Sequence, residues 1–290
     1  MKEIIFHKYQ GNGNDFIIID SRNSDIYNQY LSHNLFNVND LCRRNFGIGA
    51  DGIIFVLSSK DSNDVKMKIY NSDGSEAEMC GNGIRCLIKY LYNDQDIAKA
   101  NKKKNYIYTV ETKAGVKVAN YKNGKISIKM GAPILEPKLI PTTINKFIKN
   151  IPYATFKINN FNNLGYAIGM GNPHLIFFVD DLSKVNHCEL GADLERNILF
   201  PERTNVHFCQ VLNSNNIKVN VWERGSGETL ACGTGACAVH VAAHKLGICN
   251  NKTKITLPGG SLIIEWNENY KEVIMIGDAK KVFKGSFFIK

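Results

Sequence analysis

The sequence predicts an α+β protein of two pseudo-symmetric, similar lobes, each a mixed or antiparallel sheet wrapped around a central helix. Three observations predict this class: short alternating strands in both halves, a Cys-Gly-X-Gly turn before a helix in each half, and a spacing of about 150 residues between these features. Alternating apolar residues indicate strands, whereas apolar residues three and four positions apart indicate helices. Their recurrence at one long spacing indicates a duplicated unit.

The first copy of the repeat begins with a predicted strand at residues 65–70, where apolar and polar residues alternate. A polar turn at residues 71–76 leads into Cys80-Gly81-Asn82-Gly83. A helix follows, in which Asn82 is the expected cap. Its apolar face has the helical spacing i, i+3, i+4 and i+7 and consists of Ile84, Leu87, Ile88 and Leu91.

The second copy has the same order. Residues 217–222 alternate, and Glu223–Glu228 leads into Cys232-Gly233-Thr234-Gly235. Thr234 is the expected cap of the helix that follows. Its predicted apolar face consists of Ala236, Val239, Ala243 and Leu246. Four of the seven prolines lie between residues 131 and 153, which predicts the join there and a ligand site in the cleft between the lobes.

Composition excludes several classes of protein. The chain has 290 residues, 44% of them hydrophobic and 22% charged, which is typical of a globular protein. No apolar run approaches the roughly 20 residues of a membrane helix, and the N-terminus does not resemble a secretory signal, so we expect a cytoplasmic protein without membrane contacts. In that setting the eight cysteines are expected to be reduced thiols.

The net charge of +9 is concentrated in the first half, where 22 Lys and Arg oppose 15 Asp and Glu. Part of this excess comes from Lys99 and Lys102–Lys104. These lysines lack interleaved aromatic residues and predict a solvated loop, so we expect no nucleic-acid partner.

The repeated cysteine turn indicates a specific chemistry. A cysteine just before a helix lies near unpaired backbone N–H groups and the positive end of the helix dipole, which stabilise a thiolate. Two such sulfurs on opposite sides of a cleft suit inversion at a carbon acid: a thiolate removes the Cα proton from one face and a thiol donates to the other. Both helix starts would stabilise the substrate carboxylate. This chemistry needs no cofactor.

Other apparent motifs favour structural roles. Gly47–Gly52 matches G-x-G-x-x-G but precedes a strand, so we interpret it as a turn and not as a dinucleotide site. His240 and His244 have a metal-like spacing, yet His240 falls on the apolar face, which favours a core histidine. The cysteines lack the short spacing of zinc sites, so no metal is expected. Cys86 and Cys237, inside the helices, are predicted to be core residues.

Eight segments in the same order along the chain resemble the diaminopimelate epimerase family, whose members are cofactor-independent amino-acid epimerases with two catalytic thiols. The matching segments are Gly11–Phe16, Asn71–Glu76, Cys80–Cys86, Gly171–His174, Phe200–Asn205, Glu223–Thr229, Ala231–Cys237 and Leu257–Leu262.

The resemblance implies an isomerase that interconverts LL- and meso-2,6-diaminopimelate, in lysine biosynthesis and in the supply of a peptidoglycan precursor. It implies Cys80 and Cys232 as acid and base, with His174 and Glu223 beside them. Substrate would be bound by Asn14, Asn71, Gly81, Asn82, Asn172, Asn205, Glu223, Arg224, Gly233 and Thr234.

In this family the C-terminal segment returns to the first lobe. The predicted N-terminal lobe is therefore 1–131 with 279–290, and the predicted C-terminal lobe is 132–278. The only expected partner besides the small-molecule substrate is a second copy of the chain, and the sequence leaves the choice between monomer and homodimer open.

One position departs from the family. Gly52 stands where some members have a substrate-contacting glutamine, so we assign it no role. Two alternatives also stay open: another two-thiol isomerase, such as a proline racemase, and a non-catalytic anion- or metal-binding protein with the same glycine-rich turns.

Overall fold

The computed structural model describes residues 2–33, 35–94 and 105–289. Lys99 and Lys102–Lys104, which predict a solvated loop, lie outside the described residues. The chain divides into two compact units, Met1–Ile128 with Gly277–Lys290, and Lys129–Ile276. These divisions fall two to three residues before the boundaries predicted for the lobes.

The first unit contains the N-terminal elements and the C-terminal strand. In chain order its elements are β1 (Lys2–Gly11), β2 (Asn14–Asp20), α1 (Ile26–His33), α2 (Val38–Cys42), β3 (Gly52–Leu57), β4 (Val65–Asn71), β5 (Glu76–Ala77), α3 (Gly81–Asp94), β6 (Asn105–Thr112), β7 (Gly115–Lys122), β8 (Lys125–Gly131) and, at the end of the chain, β19 (Lys280–Ile289).

Its sheet is mixed. β1 pairs antiparallel with both β19 and β2, β2 pairs parallel with β3, and β3 pairs antiparallel with β4. β4 continues parallel to β6, and β6, β7 and β8 form an antiparallel meander. Helix α3 packs on β1, β2, β3, β7 and β19, and all four residues of its predicted apolar face are buried.

Arg85 connects distant parts of the first unit. Its side chain is fully buried, donates from Nε to the Asp278 carbonyl oxygen at 3.0 Å, and donates from a terminal nitrogen to Asn12 Oδ1 at 2.7 Å. A buried guanidinium is tolerated when its donors are satisfied. Helix α3 is thereby attached both to the β1–β2 turn and to the segment that precedes β19.

The second unit contains the remaining elements: β9 (Phe147–Ile148), β10 (Ile151–Ile158), β11 (Phe161–Gly169), β12 (Pro173–Val179), α4 (His187–Glu195), β13 (Asn205–Asn213), β14 (Asn216–Glu223), β15 (Gly227–Glu228), α5 (Gly233–Leu246), β16 (Lys252–Leu257), β17 (Gly260–Glu265) and β18 (Val273–Gly277), with 3₁₀ turns at Pro137–Leu139 and Leu182–Lys184.

The pairing of the second unit repeats that of the first. β11 and β12 are antiparallel, β12 and β13 parallel, and β13 and β14 antiparallel. β14 then pairs parallel with β16, and β16, β17 and β18 form an antiparallel meander. Helix α5 packs on β11, β12, β13, β16 and β17. The predicted α+β class with two similar lobes, each with a sheet around a helix, is confirmed.

Two local predictions are wrong. The helices begin at Gly81 and Gly233, so Asn82 and Thr234 lie in the first turn and are not the caps. Cys232 itself occupies the N-cap position, and the Cys80 carbonyl accepts the first helical hydrogen bond, from Ile84 N at 2.9 Å. His174 is the second residue of β12.

The core residues otherwise follow the sequence pattern. Cys86, Cys237 and His240 are fully buried, as predicted, and all eight cysteines are reduced thiols. Separate apolar clusters fill the two units, one around Phe55 and one around Phe177. Within the described ranges, no helix has the length and apolar character needed to cross a membrane.

Candidate active site

The first cysteine turn places Cys80 directly before α3. Its Sγ accepts a hydrogen bond from the Gly83 backbone N–H at 3.4 Å, which is the bond that a serine or threonine cap would accept. On its other side Sγ lies 3.6 Å from Asn14 Oδ1. The Asn82 side-chain amide also donates to this oxygen, at 3.3 Å. The structure therefore brings Cys80, Asn14 and Asn82 together around one sulfur.

Asn14 is held in place by a carboxylate that sequence reasoning missed. Its Nδ2 donates to Asp51 Oδ2 at 2.7 Å, and Arg44 binds the other oxygen of Asp51 at 2.6 Å. Arg44 also binds Asp15, which forms an ion pair with the buried Lys8 at 2.7 Å. Burial raises the pKa of Asp15, but hydrogen bonds from Arg44 and Lys8 outweigh it and lower that pKa overall.

Asn71 ends β4 and is exposed, and its Nδ2 donates to Ser75 Oγ at 3.0 Å. The structure thus gives Asn71 a turn-forming contact, and its binding role stays a prediction.

The second cysteine turn places Cys232 before α5, with Sγ 3.6 Å from Thr234 Oγ1. This thiol is 4% exposed, whereas Cys80 is only partly buried. Burial and the nearby Glu223 carboxylate raise the pKa of Cys232 well above its ordinary value, although the Thr234 hydroxyl and the Gly235 N–H act in the opposite direction. Cys232 is therefore a protonated thiol at neutral pH.

Glu223 lies at the end of β14 and interacts with the Cys232 thiol. Its Oε1 accepts a hydrogen bond from Thr229 Oγ1 at 2.6 Å. A hydroxyl that donates to a carboxylate makes a strong, charge-assisted bond. Thr229 thus orients Glu223 in the second cysteine turn.

His174 is fully buried in β12 and lies near Cys232 through a second histidine. Its Nδ1 is 2.9 Å from His207 Nε2, and its Nε2 is 2.8 Å from Asn172 Oδ1. One nitrogen of each histidine and the sulfur of Cys232 lie within 4.8 Å of one another. One hydrogen bond joins the two rings, and we refer to His174 and His207 as the histidine pair. His207 was not among the predicted residues.

Asn205 and Arg224 are joined through the backbone. The Arg224 N–H donates to Asn205 Oδ1 at 3.0 Å, and the Asn205 side-chain amide donates to the Pro173 carbonyl at 2.8 Å. The Arg224 guanidinium donates to the Glu202 carbonyl at 2.9 Å. These contacts bring together the ends of β12, β13 and β14, where Asn172, His174 and Glu223 also lie.

A buried carboxylate supports the turn after Arg224. Glu195, at the end of α4, accepts hydrogen bonds from Trp222 Nε1 at 2.8 Å and from Gly225 N at 3.0 Å. Gly225 has a φ of 76°, which favours glycine. Glu195 was also missed by sequence reasoning, because nothing in its local sequence distinguishes it from a surface helix residue.

Gly52 has no room for a side chain. A Cβ there would lie 2.4 Å from the Tyr70 carbonyl oxygen, so no side chain fits without a backbone shift.

Of the described residues, one accessible group could hold a cation: His187, Cys188 and Glu228, whose ligand atoms lie within 4.8 Å of one another. Glu228 belongs to the matching segment Glu223–Thr229, but none of the three residues is among those predicted to bind substrate.

The fold is similar to that of several solved structures. A hydroxyproline epimerase from Agrobacterium vitis matches with a TM-score of 0.69 at 12% identity, covering 98% of this chain and 92% of that one. A phenazine biosynthesis protein of the PhzF family from Bacillus anthracis matches with a TM-score of 0.63 at 17% identity, covering all of both chains. Together with the family profile and the sequence relatives described next, this fold defines the class of the protein, an isomerase of the epimerase type.

The sequence comparisons define the family. The diaminopimelate epimerase family profile matches residues 6–136 and 166–282. A diaminopimelate epimerase from Prochlorococcus marinus is 46% identical over 98% of this chain and 99% of its own length. One from Carboxydothermus hydrogenoformans is 43% identical over 98% of this chain and 99% of its own length. The chain belongs to the diaminopimelate epimerase family.

Proposed function

We propose that this protein interconverts LL- and meso-2,6-diaminopimelate, the activity that the names of its relatives indicate. The observation that carries the proposal is the placement of two thiols, Cys80 and Cys232, at the starts of equivalent helices in two units of like topology. Neither the metal-binding nor the anion-binding alternative requires a cysteine at both helix starts.

The reaction moves one proton off Cα and another onto it. The thiolate of one cysteine takes the Cα proton, so that a C–H bond breaks and an S–H bond forms. The thiol of the other cysteine donates its proton to the opposite face, which restores the C–H bond with inverted configuration. The two cysteines exchange protonation states, and the next turnover can run in the reverse direction.

The state of Cys232 favours an assignment of roles in the resting protein. Because its pKa is raised, Cys232 would donate the proton, and Cys80 would be the base. Cys80 is suited to that role because the Gly83 N–H and the start of α3 stabilise a negative sulfur.

Binding of the substrate divides between the two helix starts and the polar residues around them. Backbone N–H groups of Gly81, Asn82, Gly233 and Thr234 would bind the carboxylate next to the reacting Cα, where charge grows as the proton leaves. Asn14, Asn71, Asn172, Asn205 and Arg224 would bind the remaining amino and carboxylate groups.

The test is incubation of LL-diaminopimelate with reduced protein in deuterated water, followed by NMR. We expect deuterium at one Cα and appearance of the meso isomer. Cys80→Ala and Cys232→Ala should each lower this rate by at least 10³-fold, because removing one member of a concerted acid–base pair stops turnover. Cys188→Ala is the matched control. Cys188 also lies at the start of a helix, but it belongs to the group of His187, Cys188 and Glu228 and not to a cysteine turn.

Two outcomes would contradict the proposal. A folded, reduced protein that exchanges no deuterium into diaminopimelate excludes this substrate. Proline and 4-hydroxyproline in parallel tubes then test the alternative two-thiol isomerase. Turnover that survives both cysteine substitutions would instead exclude the two-thiol mechanism.

The setting of the reaction follows from the same proposal. The product would serve lysine biosynthesis and supply a peptidoglycan precursor in the cytoplasm. A homodimer is compatible with the proposal, and sedimentation of the purified protein tests it. Diaminopimelate is the partner that the proposal requires.

A further inference from the structure

His207 is a buried ring that contacts His174, and we propose that it is a positioning residue. It donates its Nε2–H to His174 Nδ1 and thereby holds His174 as a neutral ring with its proton on Nε2. The inference rests on the proposed function, because it concerns how a residue of that site is prepared.

The contacts leave one consistent placement of protons. The two rings meet through His174 Nδ1 and His207 Nε2 at 2.9 Å, so one of these nitrogens carries the shared proton. If His174 Nδ1 carried it, the bare His174 Nε2 would face the Asn172 oxygen at 2.8 Å, and two acceptors would oppose each other. If His207 carries it, His174 Nε2–H donates to Asn172 and both contacts are hydrogen bonds.

The other ring nitrogen of His207, Nδ1, independently indicates the same placement of the protons. His207 is fully buried, and among the described residues no hydrogen-bond partner is found for its Nδ1. A proton on that nitrogen would be a buried donor without an acceptor, which is rarer and more costly than a buried lone pair. The proton of neutral His207 therefore lies on Nε2, where it faces His174.

His207 is also held rigidly. β13 runs parallel to β12, with Asn205 opposite His174, and His207 follows two residues later on the same face. The ring lies against Gly235 of the second cysteine turn, where an added Cβ would come within 2.2 Å of His207 Cε1. The Nε2–H donor of His207 is therefore held at a fixed position relative to His174.

Charge around the pair supports neutral rings. Among the described residues, the charged or titratable groups that act on the His174 ring are His207 on β13 and Arg224 after β14, whereas the Glu223 carboxylate acts on the neighbouring Cys232 thiol. Burial, His207 and Arg224 lower the pKa of His174 well below its ordinary value, and burial lowers the pKa of His207 to about 3. His174 then cannot serve as a base, because its Nδ1 lone pair accepts from His207 and its Nε2–H is donated to Asn172.

The first measurement uses the unaltered protein without substrate. In protein labelled with ¹⁵N-histidine, the coupling across an N–H···N bond identifies the His174–His207 pair, and ring nitrogen shifts report which nitrogens are protonated. We expect both rings to be neutral with protons on Nε2 at pH 6 to 7. A proton on His174 Nδ1, or a charged ring in the pair, overturns the proposal.

Two variants separate donation from packing. His207→Gln keeps a side-chain N–H donor near the Nε2 position, whereas His207→Phe keeps a ring without a donor. We expect the Phe variant to lose about tenfold in kcat with KM changed less than twofold, the range seen when an orienting partner is removed. The ¹⁵N shift of His174 Nδ1 should also move toward that of a ring nitrogen without a hydrogen bond, and the Gln variant should recover both properties.

The outcomes are distinguishable from failure of the proposed function. If the protein does not epimerise diaminopimelate, the ring protonation still decides how His207 and His174 are bonded. If the Phe variant folds and keeps full kcat with His174 unchanged, positioning by His207 is wrong. If that variant does not fold, the unaltered protein and the Gln variant still provide the ring measurement.

Discussion

The glycines at the third residue of α3 and α5, Gly83 and Gly235, provide a matched pair for a prediction about stability. Both follow a Cys-Gly-X sequence, and alanine at either position gains about 1 kcal/mol of helix propensity. An added Cβ at Gly83 meets the methyl ends of Ile69 and Ile54 at 3.2 and 3.3 Å. Such ends shift by a few tenths of an ångström, so Gly83→Ala should change the free energy of unfolding by less than about 1 kcal/mol.

At Gly235 the same methyl group meets the His207 ring, at 2.2 Å from Cε1 and 2.7 Å from Nε2. Ordinary carbon contacts are about 3.5 to 4 Å, so the overlap exceeds 1 Å. The ring is fully buried and bonded to His174, and therefore cannot rotate away cheaply. Overpacking of this kind costs about 1 to 3 kcal/mol, which outweighs the gain in helix propensity.

The assay is thermal unfolding of both variants beside the parent protein, followed by circular dichroism. At roughly 2 to 4 °C per kcal/mol, we expect Gly235→Ala to lower Tm by several degrees, whereas Gly83→Ala should stay within about 3 °C. Activity should fall with Gly235→Ala because the histidine pair moves. Equal Tm values for the two variants would refute the reasoning from the His207 contact.

Three further predictions test other parts of the site and core. Burial lowers the pKa of His240 to about 4. Below about pH 6.5 the unfolded chain therefore binds a proton at this residue that the folded chain does not bind. The contribution to the free energy of unfolding is fully present above about pH 6.5 and is lost as the pH falls toward 4. His240→Leu should therefore remove about 2 kcal/mol of the decrease in unfolding free energy between pH 7 and 5, and an unchanged decrease in urea titrations would exclude His240 as its source. Asp51→Ala should lower kcat/KM about tenfold because Asn14 loses a charged acceptor, while Asp51→Asn should retain more activity in the same steady-state assay. Glu195→Gln should cost about 1 to 3 kcal/mol of stability because one of the Trp222 and Gly225 donors then faces an amide N–H, whereas the exposed Glu202→Gln should be silent in the same denaturation experiment.

The fold around each cysteine could be predicted because its signals are local. The spacing of Ile84, Leu87, Ile88 and Leu91 determines which face of α3 is buried, and the turn before it is rich in glycine and polar residues. The exact helix starts were harder to predict, because Asn82 and Thr234 are preferred N-cap residues and cysteine is not. The sulfur of Cys80 takes the capping bond from Gly83, which no propensity scale for oxygen-bearing caps indicates.

The supporting residues could not be predicted because their partners are distant in sequence. Asp51 lies 37 residues from Asn14, and His207 lies 33 residues from His174. Only parallel pairing brings them together, β2 with β3 in one unit and β12 with β13 in the other. The pattern within a strand defines its buried face, but which strand pairs with it, and in which register, also depends on the crossover connection between them.

The strand at the end of the chain has a consequence for biosynthesis on the ribosome. β1 is translated before the whole second unit and pairs along Lys2–Gln10 with β19, which is translated after it, and Arg85 holds the segment just before β19. The second unit is continuous in sequence and can complete its sheet during translation, but the first must wait until β19 has left the ribosome. Until then β1 presents an unpaired edge, a surface that chaperones cover and that aggregation exploits. Synthesis from the N-terminus therefore finishes the second unit first.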